Sequence, residues 1–385
     1  MKLPRKSSIF YGGLLSVFFI FWLCYRFEVR YTFPSTYVPL KSFPSRLNFE
    51  RIKKDTTELE EASIPVVIDK NCECISEKSG ISYDFCYKNP KNQTLVGKPF
   101  NCTFLSTLEE LKILGNNDQQ LVDIGNLKRN ESNIIYVTAI SGNHLGNFRE
   151  AYALLKKHWP SQKVIVYSLD LQPSDIQKLE SDPNISVRKF DYSKYPPYVK
   201  NWMEYRFKAI ILAEAMRDYS NVWWIDAHTR WLRPKPLDVF YGEMASCSRD
   251  PDCDKKSSLM MFINSTHSNY AVLTSGLLDY FPTYGLDTLK TNEKGLQLSA
   301  MFVYLARTPF TLEILKWHTL CALEEKCMNP PKAKLKCDII PRWGDYAGCF
   351  RYDQSSINLL MFNAFRDHNH YFMNVGELSR TYAHY

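Results

Sequence analysis

Several common signatures are missing from this chain of 385 residues. There is no G-x-G-x-x-G after a predicted strand and no Gly-Lys-Ser/Thr loop, which argues against a dinucleotide cofactor and a P-loop. There is no paired C-x2-C spacing, so a zinc knuckle is not indicated. No long Lys/Arg tract occurs. The net charge of +7 comes partly from Lys2, Arg5 and Lys6, leaving a mildly basic body. That balance predicts no nucleic-acid partner and suits an anionic small molecule. There is no internal repeat and no low-complexity segment.

What is present begins with Ile9 to Tyr25, an uncharged apolar run between a basic flank and Arg26. About 17 to 25 apolar residues span a bilayer as a helix. A cleaved signal peptide is the competing reading, but the run is longer than an ordinary apolar signal region and no small-x-small site follows. The excess of positive charge before the run places the N-terminus in the cytosol and the body across the membrane, a type II topology. Of the 11 cysteines, ten lie beyond Cys24, an even number that suggests disulfides in a translocated body. Cys247–Cys253, Cys321–Cys327 and Cys337–Cys349 are plausible local loops. Sequons at Asn92, Asn101, Asn130, Asn184 and Asn264 agree with a lumenal body. The expected organisation is a cytosolic tail 1–8, a transmembrane signal anchor 9–25, a stem 26–70 and a Cys-rich region 71–130 read as a disulfide-stapled cap. A main lumenal domain 131–375 and a C-terminal tail 376–385 complete it.

The core signal starts near Asn133. Apolar β-branched runs at Ile134–Ile140, Lys163–Leu169, Ile185–Phe190 and Val222–Ile225 alternate with helical patterns at Asn147–His158, from Pro173, and at Lys200–Tyr219, the last with Met203, Phe207, Ile210 and Ile211 in helical register. Strands separated by helices predict an α/β fold with a parallel sheet. Further on, Ser258–Ile263 reads as a strand, Leu296–Lys326 as largely helical with a break at Pro309, and Asp353–Phe365 as an apolar helix.

In such a sheet, ligands bind beyond the carboxyl ends of the strands at the switch point. The first strand runs into Thr138, Ser141, Gly142 and Asn143 near a helix N-terminus, a fair place for an anion. The fourth runs into Asp226-Ala227-His228. In extended geometry those two side chains point the same way and could share one divalent ion, Mn²⁺ or Zn²⁺ rather than Ca²⁺. The bland alternative is a strand meeting solvent, with His228 beside Arg230. By spacing, Lys208 reads as a surface partner of Glu204 at i,i+4, Asp353 as a helix cap, and His368 and His370 as surface histidines. Most of the rings of Trp223, Trp224, Trp231 and Trp343 read as core.

The apolar strand ending in an acidic motif resembles the GT-A glycosyltransferases. "VTAISGNH" (137–144), "KVIVYSLDL" (163–171), "WHTLCALEEKCMNP" (317–330), "CFRYDQSSINLL" (349–360) and "CECISEKSGISYDFCY" (72–87) together resemble a nematode-expanded family of type II membrane proteins catalogued as a domain of unknown function and grouped with that fold. The resemblance covers about residues 70–370. It implies a GT-A-like mixed, mainly parallel sheet with flanking helices behind a single transmembrane helix. It also implies a Golgi glycosyltransferase moving a sugar from a nucleotide-sugar donor to a glycan or glycoprotein acceptor. On that resemblance Thr138, Ser141, Asn143, Lys208 and Asp226 would bind donor, Lys208 against its phosphate, and Asp226 and His228 would hold Mn²⁺, with His368 and His370 completing its shell. Asp353 would be catalytic, as a general base, and the four tryptophans could offer sugar-stacking faces. His228 stands where the common motif has its second acid, which leaves a catalytically inactive lumenal binding protein as the alternative. A Golgi sulfotransferase is disfavoured because "SGNHLGN" lacks a Lys or Arg.

Overall fold

The computed structural model describes residues 68–114, 121–124, 134–231, 235–247, 257–339, 342–375 and 378–380. The expected cytosolic tail and signal anchor, most of the stem, the sequon at Asn130 and the Cys247–Cys253 pairing lie outside what is described. Among the described residues no helix is long and apolar enough to cross a membrane.

Strand β1 (Ile135–Ile140) leads through a short turn to α1 (Leu145–His158), β2 (Val164–Ser168), α2 (Pro173–Glu180), β3 (Ile185–Lys189), α3 (Arg206–Asp218) and β4 (Asn221–Ile225). Two later strands, β5 (Leu259–Met261) and β6 (Phe302–Ala306), and two helices, α4 (Pro309–Leu323) and α5 (Asp353–Phe365), complete the frame. The six strands form one sheet in the order β5-β6-β4-β1-β2-β3. Strands β4, β1, β2 and β3 are parallel, and β6 runs antiparallel to both β4 and β5. The chain is therefore mixed α/β with a mostly parallel central sheet. Because β4 pairs directly with β1, Tyr136 lies opposite Trp223 and Val137 opposite Trp224, and the loops after both strands open on the same edge.

Alternation along the strands divides the core. Tyr136, Trp223 and Phe302 face α1 and the helix Lys235–Cys247, while Val137, Trp224 and Val303 face α3, α4 and α5. On α1, Leu145, Phe148, Ala151 and Leu155 are buried, the helical spacing that buries one face. Trp223 and Trp231 belong to an aromatic stack with Phe302 and Phe262, so they are core and not sugar platforms.

Three expectations change. Residues 296–308 are not helical: Leu296–Leu298 and β6 are strands, and Pro309 starts α4 at its first turn. Strand β6 is buried at every position, and a run apolar on both faces carries no two-residue alternation to betray it. The helix expected from Lys200 starts only at Arg206, after two 3₁₀ turns, and Met203 is 55% exposed. Residues 378–380, expected as tail, pair with Thr229–Trp231.

The Cys-rich region is likewise not a separate cap, and residues 66–385 form one compact unit. Disulfides Cys72–Cys86 and Cys74–Cys102 staple its hairpins, and Tyr87 meets Phe281 and Trp317 of α4 edge-on at 5.1 and 5.4 Å. The expected Cys321–Cys327 and Cys337–Cys349 bridges are also formed. In the strand Asn92–Pro99, a Cβ built on Gly97 would lie 2.0 Å from the Tyr280 carbonyl oxygen. Gly97→Ala should therefore destabilise by about 1–3 kcal/mol as overpacking does, read as a lower urea midpoint. An unchanged midpoint would show that the hairpin is not tightly seated.

Candidate active site

Three elements converge beyond the carboxyl ends of β1 and β4. Asp226 is the residue after β4, Lys208 lies in the first turn of α3, and Asp353 opens α5. The Lys208 Nζ stands 3.0 Å from Asp226 Oδ1, 3.2 Å from Asp353 Oδ2 and 3.3 Å from the Ala300 carbonyl oxygen. Asp226 Oδ1 also accepts a hydrogen bond from Trp224 Nε1 at 2.7 Å. Lys208 and Asp353 are each only 4% exposed. The ammonium is thus held by oxygens from three separate segments, with the Trp224 and Tyr205 rings 5.4 and 5.7 Å away.

The backbone is bent at both helix starts. Tyr205, before α3, has φ 54°, and Tyr352, before α5, has φ 44°. Such values cost about 1–3 kcal/mol in a bulky residue and persist only where surrounding packing demands them. Here they aim the first turns of two helices, and so Lys208 and Asp353, at one point.

Burial alone would pull the Lys208 amine down, but Asp226 and then Asp353 carry it above the ordinary lysine value. Burial pushes Asp353 up, Lys208 opposes this and Asp226 adds to it, leaving the carboxyl at about 6. Behind the pair, His318 is driven down to about 3 by burial and then by the Lys208 charge, with Nδ1 2.9 Å from Ser356 Oγ. It stays a neutral imidazole. Lys208 is therefore not a surface lysine beside Glu204, which instead pairs with Arg206.

Asp226 to Thr229 is a turn, closed by Thr229 N–H donating to the Asp226 carbonyl at 2.9 Å. The extended geometry expected for Asp226 and His228 is replaced by this turn, although both still line the cleft. His228 Nε2 lies 3.0 Å from Met301 Sδ, and Arg230 pairs with Glu150.

Two cavities meet here. The first, about 360 Å³, is lined by Ser141, Asn143, Asp170, Trp202 and Phe207 among others. The second, about 210 Å³, is lined by Ser299, Leu335, Arg351, Asp353 and Gln354 among others. Tyr205, Lys208, Asp226 and His228 belong to both walls. Of the residues expected to bind donor, Ser141, Asn143, Lys208 and Asp226 come together in the first cavity. Thr138 does not: strand alternation turns it toward α1, into a small apolar cavity that shares only Asp226 and Ala227 with the first. The anion place at the start of the β1 loop is taken by Asp170, whose Oδ1 accepts from Gly142 N–H at 2.7 Å.

Sequence reasoning missed Asp170, Trp202, Tyr205, Arg351 and Gln354. Arg351 and Gln354 flank Asp353, and Asp170 lies within 163–171, both stretches already singled out, so neighbourhood was the available signal; nothing local marks Trp202. His368 and His370 join neither cavity wall. His368 lies 6.0 Å from the Phe372 ring, and His370 stacks on Phe365 at 5.4 Å.

The arrangement does not fit the divalent ion expected at Asp226 and His228. Among the described residues, the only three His, Cys, Asp or Glu ligand atoms close enough to share an ion are those of Cys72, Asp84 and Cys86. The two sulfurs of that group are spent on a disulfide. At Asp226, an ammonium already holds one oxygen. Each unit of added positive charge about 4 Å from Nζ meets about 4 kcal/mol of repulsion at an effective dielectric of about 20.

Residues 72–213 match the model of a family described as "Protein of unknown function (DUF1647)". No curated protein matches the chain. Among solved structures, the chain is similar to the apo form of the bifunctional glycosyltransferase WbbM, with 12% identity, TM-score 0.33, 59% of this chain and 37% of that one covered. The chain thus spans little more than a third of WbbM. It is also similar to the galactosyltransferase LgtC in complex with donor and acceptor sugar analogues, with 12% identity, TM-score 0.34, 65% of this chain and 87% of that one covered. An active-site mutant of LgtC matches with the same figures. At these scores neither fold nor mechanism rests on the likeness; both rest on the geometry above.

Proposed function

We propose that the body is a glycosyltransferase that binds a nucleotide sugar in the larger cavity and passes the sugar to a hydroxyl of a glycan or glycoprotein in the smaller one. The observation that carries this reading is the meeting of two cavities at Lys208, Asp226 and His228, at the switch point of the sheet. Trp202 and Tyr205 offer rings for a base, Ser141 and Asn143 offer polar contacts for phosphate, and Asp170 offers an acceptor for ribose hydroxyls. In the transfer, the acceptor oxygen bonds to the anomeric carbon and the bond from that carbon to the diphosphate breaks. The diphosphate leaves with the electron pair, and Asp353 takes the acceptor proton. Lys208 faces the developing charge on the leaving group.

A second reading, a lumenal binding protein without turnover, is favoured by one feature: the oxygens around Lys208 already satisfy its ammonium. Turnover by the wild type, lost in Asp353→Asn, separates the two. The anchor at 9–25, a Golgi setting and type II topology belong to the same proposal. The four disulfides among the described residues support an oxidising compartment.

Full-length protein screened by thermal shift against nucleotide sugars should melt several degrees higher with the right one. Ligand at about 100 times Kd adds about 2.7 kcal/mol of stability. The shift should vanish in Asp226→Ala. If no nucleotide sugar raises the melting temperature, the transferase reading fails.

A further inference from the structure

Two carboxylates and a backbone carbonyl make the oxygen set that ordinarily surrounds a hard cation. In this cleft the set encloses the Lys208 ammonium, between 3.0 and 3.3 Å from each oxygen. The three oxygens come from the end of β4, the start of α5 and the segment before β6, so no local turn creates the cage; the fold does. It lies where the two cavities join, which is where a donor's diphosphate must sit if the larger holds the nucleotide and the smaller the acceptor. We propose that the site binds a nucleoside diphosphate group without a divalent cation, Lys208 Nζ being the fixed positive charge that stands in its place. This rests on the donor-site reading above.

Further positive character is built around the same point. The N-termini of α3 and α5, each 13 residues long, converge there, and Arg351 lines the smaller cavity two residues before Asp353. The longest of the three ammonium contacts, to the Ala300 carbonyl, is the one a phosphate oxygen can replace. Asp226 and Asp353 then keep the amine charged and oriented. Trp224, donating to Asp226 Oδ1, fixes the carboxylate that does most of this. A tethered cation of this kind is always present, so donor binding does not follow the supply of metal.

The test is calorimetric titration of the full-length protein with UDP and with GDP, in excess EDTA and in excess Mn²⁺. At least one nucleotide should bind, with Kd in the two conditions agreeing within about twofold. Lys208→Ala should weaken binding in EDTA by about 10- to 100-fold, the order of a lost charge-assisted contact. Added Mn²⁺ should recover part of that loss, because the emptied oxygen cage then suits an ion. The wild-type comparison needs no variant, so it decides the matter even where Lys208→Ala folds poorly. Binding that appears only with Mn²⁺ overturns the proposal and leaves the donor site standing. Undiminished binding by a folded Lys208→Ala in EDTA also overturns it. Failure of both nucleotides in every condition removes the donor site, and this proposal with it.

Discussion

Asp353→Asn should lower sugar transfer by about 10²- to 10⁴-fold, the range typical of losing a positioned general base. Nucleotide binding should persist, because Asp226 still holds Lys208 at 3.0 Å. The substitution keeps shape and burial while removing the group proposed to take the acceptor proton. The pH profile gives an independent check. Burial holds the Asp353 carboxyl at about 6, so transfer by the wild type should climb as pH rises through about 6 and level off above it. The sign for stability is opposite. The folded protein keeps this proton more tightly than the unfolded chain, so between the ordinary carboxylate value and about 6 the unfolded state binds fewer protons and stability falls as pH rises. Asp353→Asn should flatten both trends. A variant with full turnover would remove Asp353 from the chemistry.

Arg206→Met should cost about 3–5 kcal/mol of stability, the range for removing one partner of a buried ion pair. Arg206 is fully buried and pairs with Glu204. Its Nη1 donates to the carbonyls of Ala322 at 2.8 Å and Glu324 at 3.0 Å, and its Nη2 to that of Glu325 at 2.7 Å. The Ala322 and Glu324 carbonyls end α4, where a cation suits the helix dipole, and Glu325 follows directly. Asn201 and Asn329 complete the bonding of Glu204. The loss would leave the buried Glu204 carboxylate without its charge partner and three carbonyls without this donor, and would free the start of α3, from which Lys208 projects. Denaturant midpoints measure the first effect, and weaker nucleotide binding under folding conditions measures the second. Arg206→Lys should recover only part, since an ammonium cannot span the same fork of acceptors. A loss under about 1 kcal/mol for Arg206→Met would show that surface estimates apply instead.

Much of the α/β frame was legible because its signals are local. β1 to β4 and the helices between them each carry their own apolar period and their own breaks, whereas Pro309, expected as a break within a helix, is the first residue of α4. The close-spaced cysteine pairs, Cys321 with Cys327 and Cys337 with Cys349, were legible for the same reason. Strand β6 was not, since Phe302–Ala306 is buried on both faces and its neighbours β4 and β5 come from elsewhere in the chain. Nor was the role of the Cys-rich region, because Tyr87 and Phe100 pack against residues far along the chain, Phe281 and Trp317.

At the cleft the division is sharper. By itself the sequence determined that an acid would stand at the end of the fourth strand, that a basic residue would lie on the helix before it, and that an acid would open the apolar helix at Asp353. Each follows from a run of neighbours. Only the tertiary structure decided that these three charges form one cluster, that Thr138 turns away from it, and that His228 faces a methionine sulfur. The reason is physical: a period reports which face of an element is buried, but which buried charges meet depends on sheet order and on where two helix starts are aimed. Here the pairing of β4 with β1 and β6, and the backbone bends at Tyr205 and Tyr352, set Lys208 between Asp226 and Asp353.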